Sequence, residues 1–166
     1  MPNTYSLISS NTLGSATASV TFSSIPATYT DLLVKLSLRS DRTADTDSVN
    51  MTVNGSSTSM TWLYLLGNNG SVTSATAQRF YTNSDYNTAS GFGSAEVYIP
   101  NYASANYKSF SVNTFSENNA TSGAQAEMLT QLWSNTSAIT SITFAPQFGS
   151  NWKQYSAFHL YGIKNP

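Results

Sequence analysis

Charge is what this chain has least of. Asp, Glu, Lys and Arg make up 9% of it, where an ordinary soluble domain carries roughly 25%. The net charge is −1 and the pI lies near 5.6. No two of the Lys and Arg residues are adjacent, so there is no electrostatic footprint for nucleic acid or an anionic membrane. Cysteine is absent, which excludes disulfides, thiolate metal sites and cysteine nucleophiles, and leaves the redox compartment open. The opening Met1-Pro2-Asn3-Thr4-Tyr5 has no basic segment and no apolar segment follows it, so the expectation is synthesis in a cytoplasm without export by the general route. The longest apolar runs, Leu32 to Val34 and Leu63 to Leu66, are far too short to span a membrane and suit strands.

Hydroxyls and amides take the place of the ions: 28 Ser, 21 Thr and 16 Asn. A surface built from them loses little desolvation energy when it docks on another protein, because it has few ions to strip of water. That favours assembly over catalysis. The length of 166 residues fits one domain, residues 1–166, able to bury roughly 70% of its extended-chain surface without a staple. Asn-x-Ser/Thr sequons, those at Asn54, Asn69, Asn119 and Asn135 among them, are expected by chance in a composition like this.

Alternation with a period of two dominates the chain, and no helix of any length stands out. Leu32, Val34, Leu36 and Leu38 are predicted on one face of a strand, with Lys35, Ser37 and Arg39 on the other. Val49, Met51 and Val53 alternate with Asn50 and Thr52 and end at Asn54-Gly55, a strong turn signal. Met60 to Leu66 is a further strand, closed by Gly67-Asn68-Asn69-Gly70. Later strands are predicted at Thr76 to Thr82, Ala95 to Ile99, Lys108 to Phe115, Gln125 to Trp133, Ile139 to Ala145 and Gln154 to Tyr161. Phe115 breaks the parity of Phe110 and Val112, which points to a bulge or an outward side chain. Around Gln125 to Trp133, Ala124, Met128, Leu129 and Leu132 could also line a short helix, but Thr130 and Trp133 favour sheet. Loops are predicted at Asp41 to Asp47, Gly67 to Val72, Ser84 to Gly93, Glu117 to Gly123 and Gln147 to Asn151. About ten short strands at this spacing imply an all-β fold, an antiparallel two-sheet β-sandwich of jelly-roll type.

The chemistry-bearing residues are few. His159, the one histidine, lies between Phe158 and Leu160, so a surface hydrogen bond is a simpler role for it than a triad or a metal site. Asp41, Asp45 and Asp47 share a loop, but the spacing matches no EF-hand, Arg42 competes for the carboxylates, and a solvated loop is expected. Glu96, Glu117 and Glu127 fall on or near separate strands and in no motif, whereas a glycosidase needs two carboxylates across a cleft. No cofactor is implied. The aromatics remain, with 10 Tyr, 8 Phe and 3 Trp. Tyr64, Tyr98, Tyr155 and Tyr161 fall at parities expected outside the core, and together with His159 and Tyr86 they are the candidate contact residues. Exposed Tyr serves equally to stack on sugars and to anchor protein contacts.

Several blocks carry a resemblance: Leu7 to Gly14, Val20 to Leu32 with its Ser24-Ile25-Pro26-Ala27-Thr28-Tyr29-Thr30-Asp31-Leu32 core, Val97 to Tyr102, Leu132 to Thr143, and His159 to Ile163. In these, spread over nearly the whole chain, the sequence resembles a family of virion structural proteins of tailed bacteriophages. The resemblance implies a β-sandwich virion protein without enzymatic activity, acting as a trimeric capsid decoration (cement) protein or as the receptor-binding tip of a tail fibre. The chain opens on a strand pattern and ends at Pro166, close after Tyr161-Gly162-Ile163, so a self-contained sandwich on the outer capsid surface is the favoured expectation. Its partners would be two further copies of itself and the major capsid protein, with a host-surface glycan in the alternative. Outer aromatics flanked by polar residues, such as Tyr86 between Asp85 and Asn87, would hold that sugar.

Overall fold

The computed structural model describes residues 4–76, 78–117 and 124–164. Twelve strands run through them and, among the described residues, there is no helix. In chain order they are β1 (Tyr5–Thr12), β2 (Val20–Phe22), β3 (Asp31–Leu38), β4 (Asp47–Val53), β5 (Met60–Asn68), β6 (Ser71–Ala75), β7 (Phe80–Thr82), β8 (Gly93–Ile99), β9 (Lys108–Ser116), β10 (Gln125–Trp133), β11 (Ile142–Pro146) and β12 (Ala157–Ile163). Every pairing between them is antiparallel.

Two sheets form. One has eight strands in the order β1-β12-β3-β8-β9-β10-β5-β6, the other four in the order β2-β11-β4-β7. The all-β, antiparallel two-sheet sandwich expected from the alternation is what the chain folds into. Its core lies between the sheets: Leu32, Val34, Leu36 and Leu38 of β3 and Val97 and Ile99 of β8 face Val49, Met51 and Val53 of β4 and Ile142 and Phe144 of β11, all buried. Phe22, Phe144, Phe158 and Trp152 make a chain of ring contacts with centroids 6.0 to 6.4 Å apart. The Trp152 indole N–H donates to the Phe144 carbonyl at 3.1 Å, so its polar atom is satisfied where the ring is fully buried. Each such side chain taken out of water contributes about 1.5–3 kcal/mol before entropy is counted.

Some boundaries move. The loop expected at Gly67 to Val72 is a tight hairpin, because Asn69 and Gly70 both take positive φ (49° and 80°) and turn β5 directly into β6. An Asn-Gly pair is the residue pair that tolerates this geometry. Asn54-Gly55 makes the same kind of turn, at φ 51° and 74°. The strand expected at Thr76 to Thr82 shrinks to β7, and the one expected at Ile139 to Ala145 begins at Ile142. Gln154 to Tyr161 begins at Ala157, because Tyr155 sits in a turn at φ 71°. Gln125 to Trp133 is strand throughout: Glu127, Leu129, Gln131 and Trp133 are buried between exposed neighbours. Phe115 points outward without a bulge, as the β9–β10 register runs unbroken. The part of the Glu117 to Gly123 loop from 118 onward, with the Asn119 sequon, lies outside the described residues, as does Pro166.

Arg39 corrects the parity reading of β3. It is buried rather than outward, and its guanidinium donates to the carbonyls of Thr88 (2.6 Å), Asp85 (3.3 Å) and Asn87 (3.4 Å) and to Asp85 Oδ1 (3.2 Å). The Ser84 to Gly93 loop is therefore folded around one cation, whose planar fork suits several acceptors at once. The resemblance blocks also meet in space. Tyr102, fully buried, donates its hydroxyl to the Pro26 carbonyl and accepts from the Tyr29 N–H at 3.4 Å. Asp31 accepts from the Tyr98 hydroxyl (2.8 Å) and the Asn101 N–H (2.9 Å), and Ile139 donates its N–H to the Tyr102 carbonyl at 3.0 Å. These segments meet at one corner built around the buried Tyr102 and Asp31.

Candidate interaction surface

The eight-stranded sheet turns one face inward and leaves the other open, and the strand registers decide what stands on the open face. In β5, Met60, Trp62 and Leu66 are buried, so Leu63 and Leu65 point out and are 52% and 53% exposed. In β10, burial of Leu129 and Trp133 sends Met128 (65%) and Leu132 (40%) outward. Phe115 of β9 and Val72 of β6 join them at 59% and 75%. Cross-strand pairing puts Met128 beside Leu65, and aligns Phe115, Ala126, Gly67 and Val72 in one row. The small residues in the middle of that row make the floor of an open groove of about 650 Å³ between Phe115 and Val72. No outward residue of β9, β10, β5 or β6 is charged.

The other half of the same face is polar. Lys35 pairs with Glu96 across β3 and β8 at 2.5 Å, and the Glu96 hydrogen bond holds the lysine above its ordinary pKa. His159 stands between Ser10 and Lys35 in register, its Nδ1 3.0 Å from the Ser10 hydroxyl. Tyr161 lies between Leu7 and Leu33, and Tyr98 beyond Leu33. Both tyrosines are half-buried, and the Tyr98 hydroxyl is committed to Asp31.

The six candidate contact residues are thus not one site. Tyr98, His159 and Tyr161 share the outer face of the large sheet. Tyr64 does not: it has the parity of Trp62 and Leu66 and packs against the core, because the apolar run of β5 left its facing ambiguous. Tyr155 is 65% exposed but lies in the turn before β12. Tyr86 is 64% exposed in the Ser84 to Gly93 loop, yet its flanks are spent inside the molecule. Asp85 accepts from Lys153 at 2.8 Å and from Arg39, and these partners, Lys153 first, hold its pKa below the usual carboxylate range. Asn87 is buried and donates to the Asp45 carbonyl at 2.6 Å. The residues that sequence reasoning passed over are Leu63, Leu65, Val72, Met128 and Leu132. Apolar residues at both parities of one strand were their signal.

The remaining carboxylates are structural by geometry. Asp47 is fully buried rather than solvated, and accepts the N–H groups of Ser48 (2.6 Å), Phe148 (3.2 Å) and Gly149 (2.9 Å). Asp41 accepts from Ser150 N–H (2.7 Å) and from the backbone (3.0 Å) and side chain (3.0 Å) of Asn151. Burial pushes Asp41 up, but these hydrogen bonds together outweigh it and leave its pKa lowered. Two ends of one acidic loop therefore clamp the Gln147 to Asn151 loop. Glu96 faces outward and Glu127 inward, while Glu117 accepts from the Thr88 hydroxyl at 2.9 Å. Among the described residues no three His, Asp or Glu side chains gather as a metal cluster. No helix of the described residues is long and apolar enough to cross a membrane. Compared with protein-family models, curated proteins and solved structures, the chain matches none of them.

Proposed function

We propose that this chain is a non-enzymatic structural protein of a bacteriophage virion: a decoration protein that sits as a homotrimer on the outer capsid surface, after synthesis in the host bacterial cytoplasm, and binds the major capsid protein. The observation that carries the reading is the broad outer face of the large sheet, half of it uncharged and apolar. An uncharged apolar surface of this kind loses little solvation when another protein, a further copy of the chain included, covers it.

The topology supports the same reading. Without β5, β6, β9 and β10, the sheets reduce to β1-β12-β3-β8 and β2-β11-β4-β7. Eight strands in that order are read here as a jelly roll, an architecture shared by viral capsid and lectin domains. The two hairpin-linked pairs are additions that widen one sheet, and they bear the apolar face. Decoration would work by mass action, since a ligand that binds only the assembled shell stabilises it. Three linked copies on neighbouring capsid subunits add their contacts through effective concentration.

The fibre-tip alternative asked for free polar groups around Tyr86, and those groups are engaged with Arg39, Lys153 and Asp45. The decisive experiment is an electron-microscopy map of the virion that encodes the chain, with the protein located by a bound antibody fragment. Density over the shell is expected. Density at a tail tip, or binding of the purified protein to host cells or a glycan array, overturns the capsid assignment.

A further inference from the structure

The four added strands raise a question the fold does not answer internally: what covers their outer face. Leu63, Leu65, Val72, Phe115, Met128 and Leu132 leave 40% to 75% of their surface open on one continuous patch. That is of the order of 600 Å² of apolar surface, at the upper end for a monomer and most of the roughly 800 Å² that each partner buries in a standard interface.

The sheet edges point the same way. A free strand edge invites pairing, and proteins blunt it with short strands, bulges, charge or proline. β2 and β7, the edges of the small sheet, have three residues each. β1, one edge of the large sheet, carries a bulge between Leu7 and Ser9. β6, the other edge, has none of these: five residues, all exposed, no charge, no proline and an unbroken register with β5. Among the described residues, the one unprotected edge is the border of the apolar patch.

We infer that this face, the outer side of β9, β10, β5 and β6 bordered by the β6 edge, is where copies of the chain pack against one another. A second copy is the occupant because the outward side chains of these four strands bring no charge of either sign from either side. Copies gathered round a symmetry axis on this face bring no like charges together, whereas an axis over Lys35 or Glu96 would set each against its own kind. The inference rests on the self-assembling reading above for the number of copies, and on the patch itself for its place.

The test is the solution mass of the full chain by light scattering and sedimentation at micromolar concentrations, for the wild type and three variants. Met128→Glu and Val72→Glu each place a charge that association would bury unpaired. Leu7→Glu adds the same charge at a 57% exposed position on the opposite edge of the same face. The expected result is an oligomer that is lost in Met128→Glu and Val72→Glu and retained in Leu7→Glu, with the β circular-dichroism spectrum unchanged in all. Two patch positions are used so that a misfolded variant does not stand alone. A wild-type monomer, or an oligomer that survives both patch charges, overturns the assignment. A dimer dissolved by the patch charges keeps this surface and overturns the trimer, and failure to bind a capsid leaves the surface untouched.

Discussion

Glu127 should make this protein less stable as the pH rises through neutrality. It is 3% exposed on the inner side of β10, flanked in register by Thr114 and Leu66. Burial pushes its carboxyl up from 4.5 to about 7, against the opposing pull of the Tyr81 N–H on Oε2 at 2.9 Å and the Arg79 charge. Between those two values the folded chain holds a proton that the unfolded chain has released. The stabilisation is therefore complete below pH 4.5 and is lost as the pH rises through about 7. A difference of that size corresponds to about 3 kcal/mol. Asp41 and Asp85 act in a separate window, since their lowered values contribute stability that disappears only in acid. Glu127→Gln keeps an acceptor for Tyr81 and removes the titration. Urea denaturation at about pH 5 and about pH 8 should find the two proteins similar in acid and the variant ahead by up to about 3 kcal/mol in base. Parallel pH profiles, or a variant that is weaker at the higher pH, would refute the reasoning.

Three further substitutions probe the corner and the clamp. In Gly162→Ala the new Cβ would lie 2.3 to 2.5 Å from the Tyr29 ring carbons, so a loss of about 2 kcal/mol is expected from overpacking; an unchanged thermal midpoint would show that the ring can move aside. Tyr102→Phe takes the hydroxyl from the Pro26 carbonyl and the Tyr29 N–H and should cost about 1–2 kcal/mol in denaturant titration, a loss that a neutral outcome would contradict. Asp47→Ala leaves the N–H groups of Ser48, Phe148 and Gly149 without their acceptor, and hydrogen exchange at residues 147–151 should quicken at least about tenfold as the loop opens. Protection unchanged at those amides would mean the clamp holds nothing.

The fold was legible because the inward set is strict. Val34 to Leu38, Val49 to Val53 and Phe158 to Leu160 alternate cleanly in sequence and are buried in that pattern. Parity failed where both faces of a strand are apolar. Trp62 to Leu66 gives no alternation to read, and Tyr64 was assigned to the wrong side. It failed again at Arg39, where a cation ends a strand and is drawn inside by carbonyls contributed 46 to 52 residues away. Such a site depends on loop conformation, which periodicity does not encode. The Asp41 to Asp47 loop is a similar case: its acceptors are matched by backbone N–H groups 101 to 110 residues distant.

The same distinction separates what the resemblance can carry from what it cannot. Its most specific block supplies Pro26, Tyr29 and Asp31, and these meet Tyr98, Tyr102 and Gly162 from other blocks at one buried corner. Residues held there answer to packing, so they speak for the sandwich and are silent on what it touches. The apolar face lies on β5, β6, β9 and β10. Leu132, which opens the Leu132 to Thr143 block, is the one patch residue that falls inside the resemblance. Removing the outward side chains at Leu65 and Met128 leaves the corner intact, while opening the corner through Tyr102 leaves the face chemically as it was. A perturbation of partner binding that tracks the face and not the corner is therefore the expected signature of function, because no residue of the corner belongs to the exposed apolar patch.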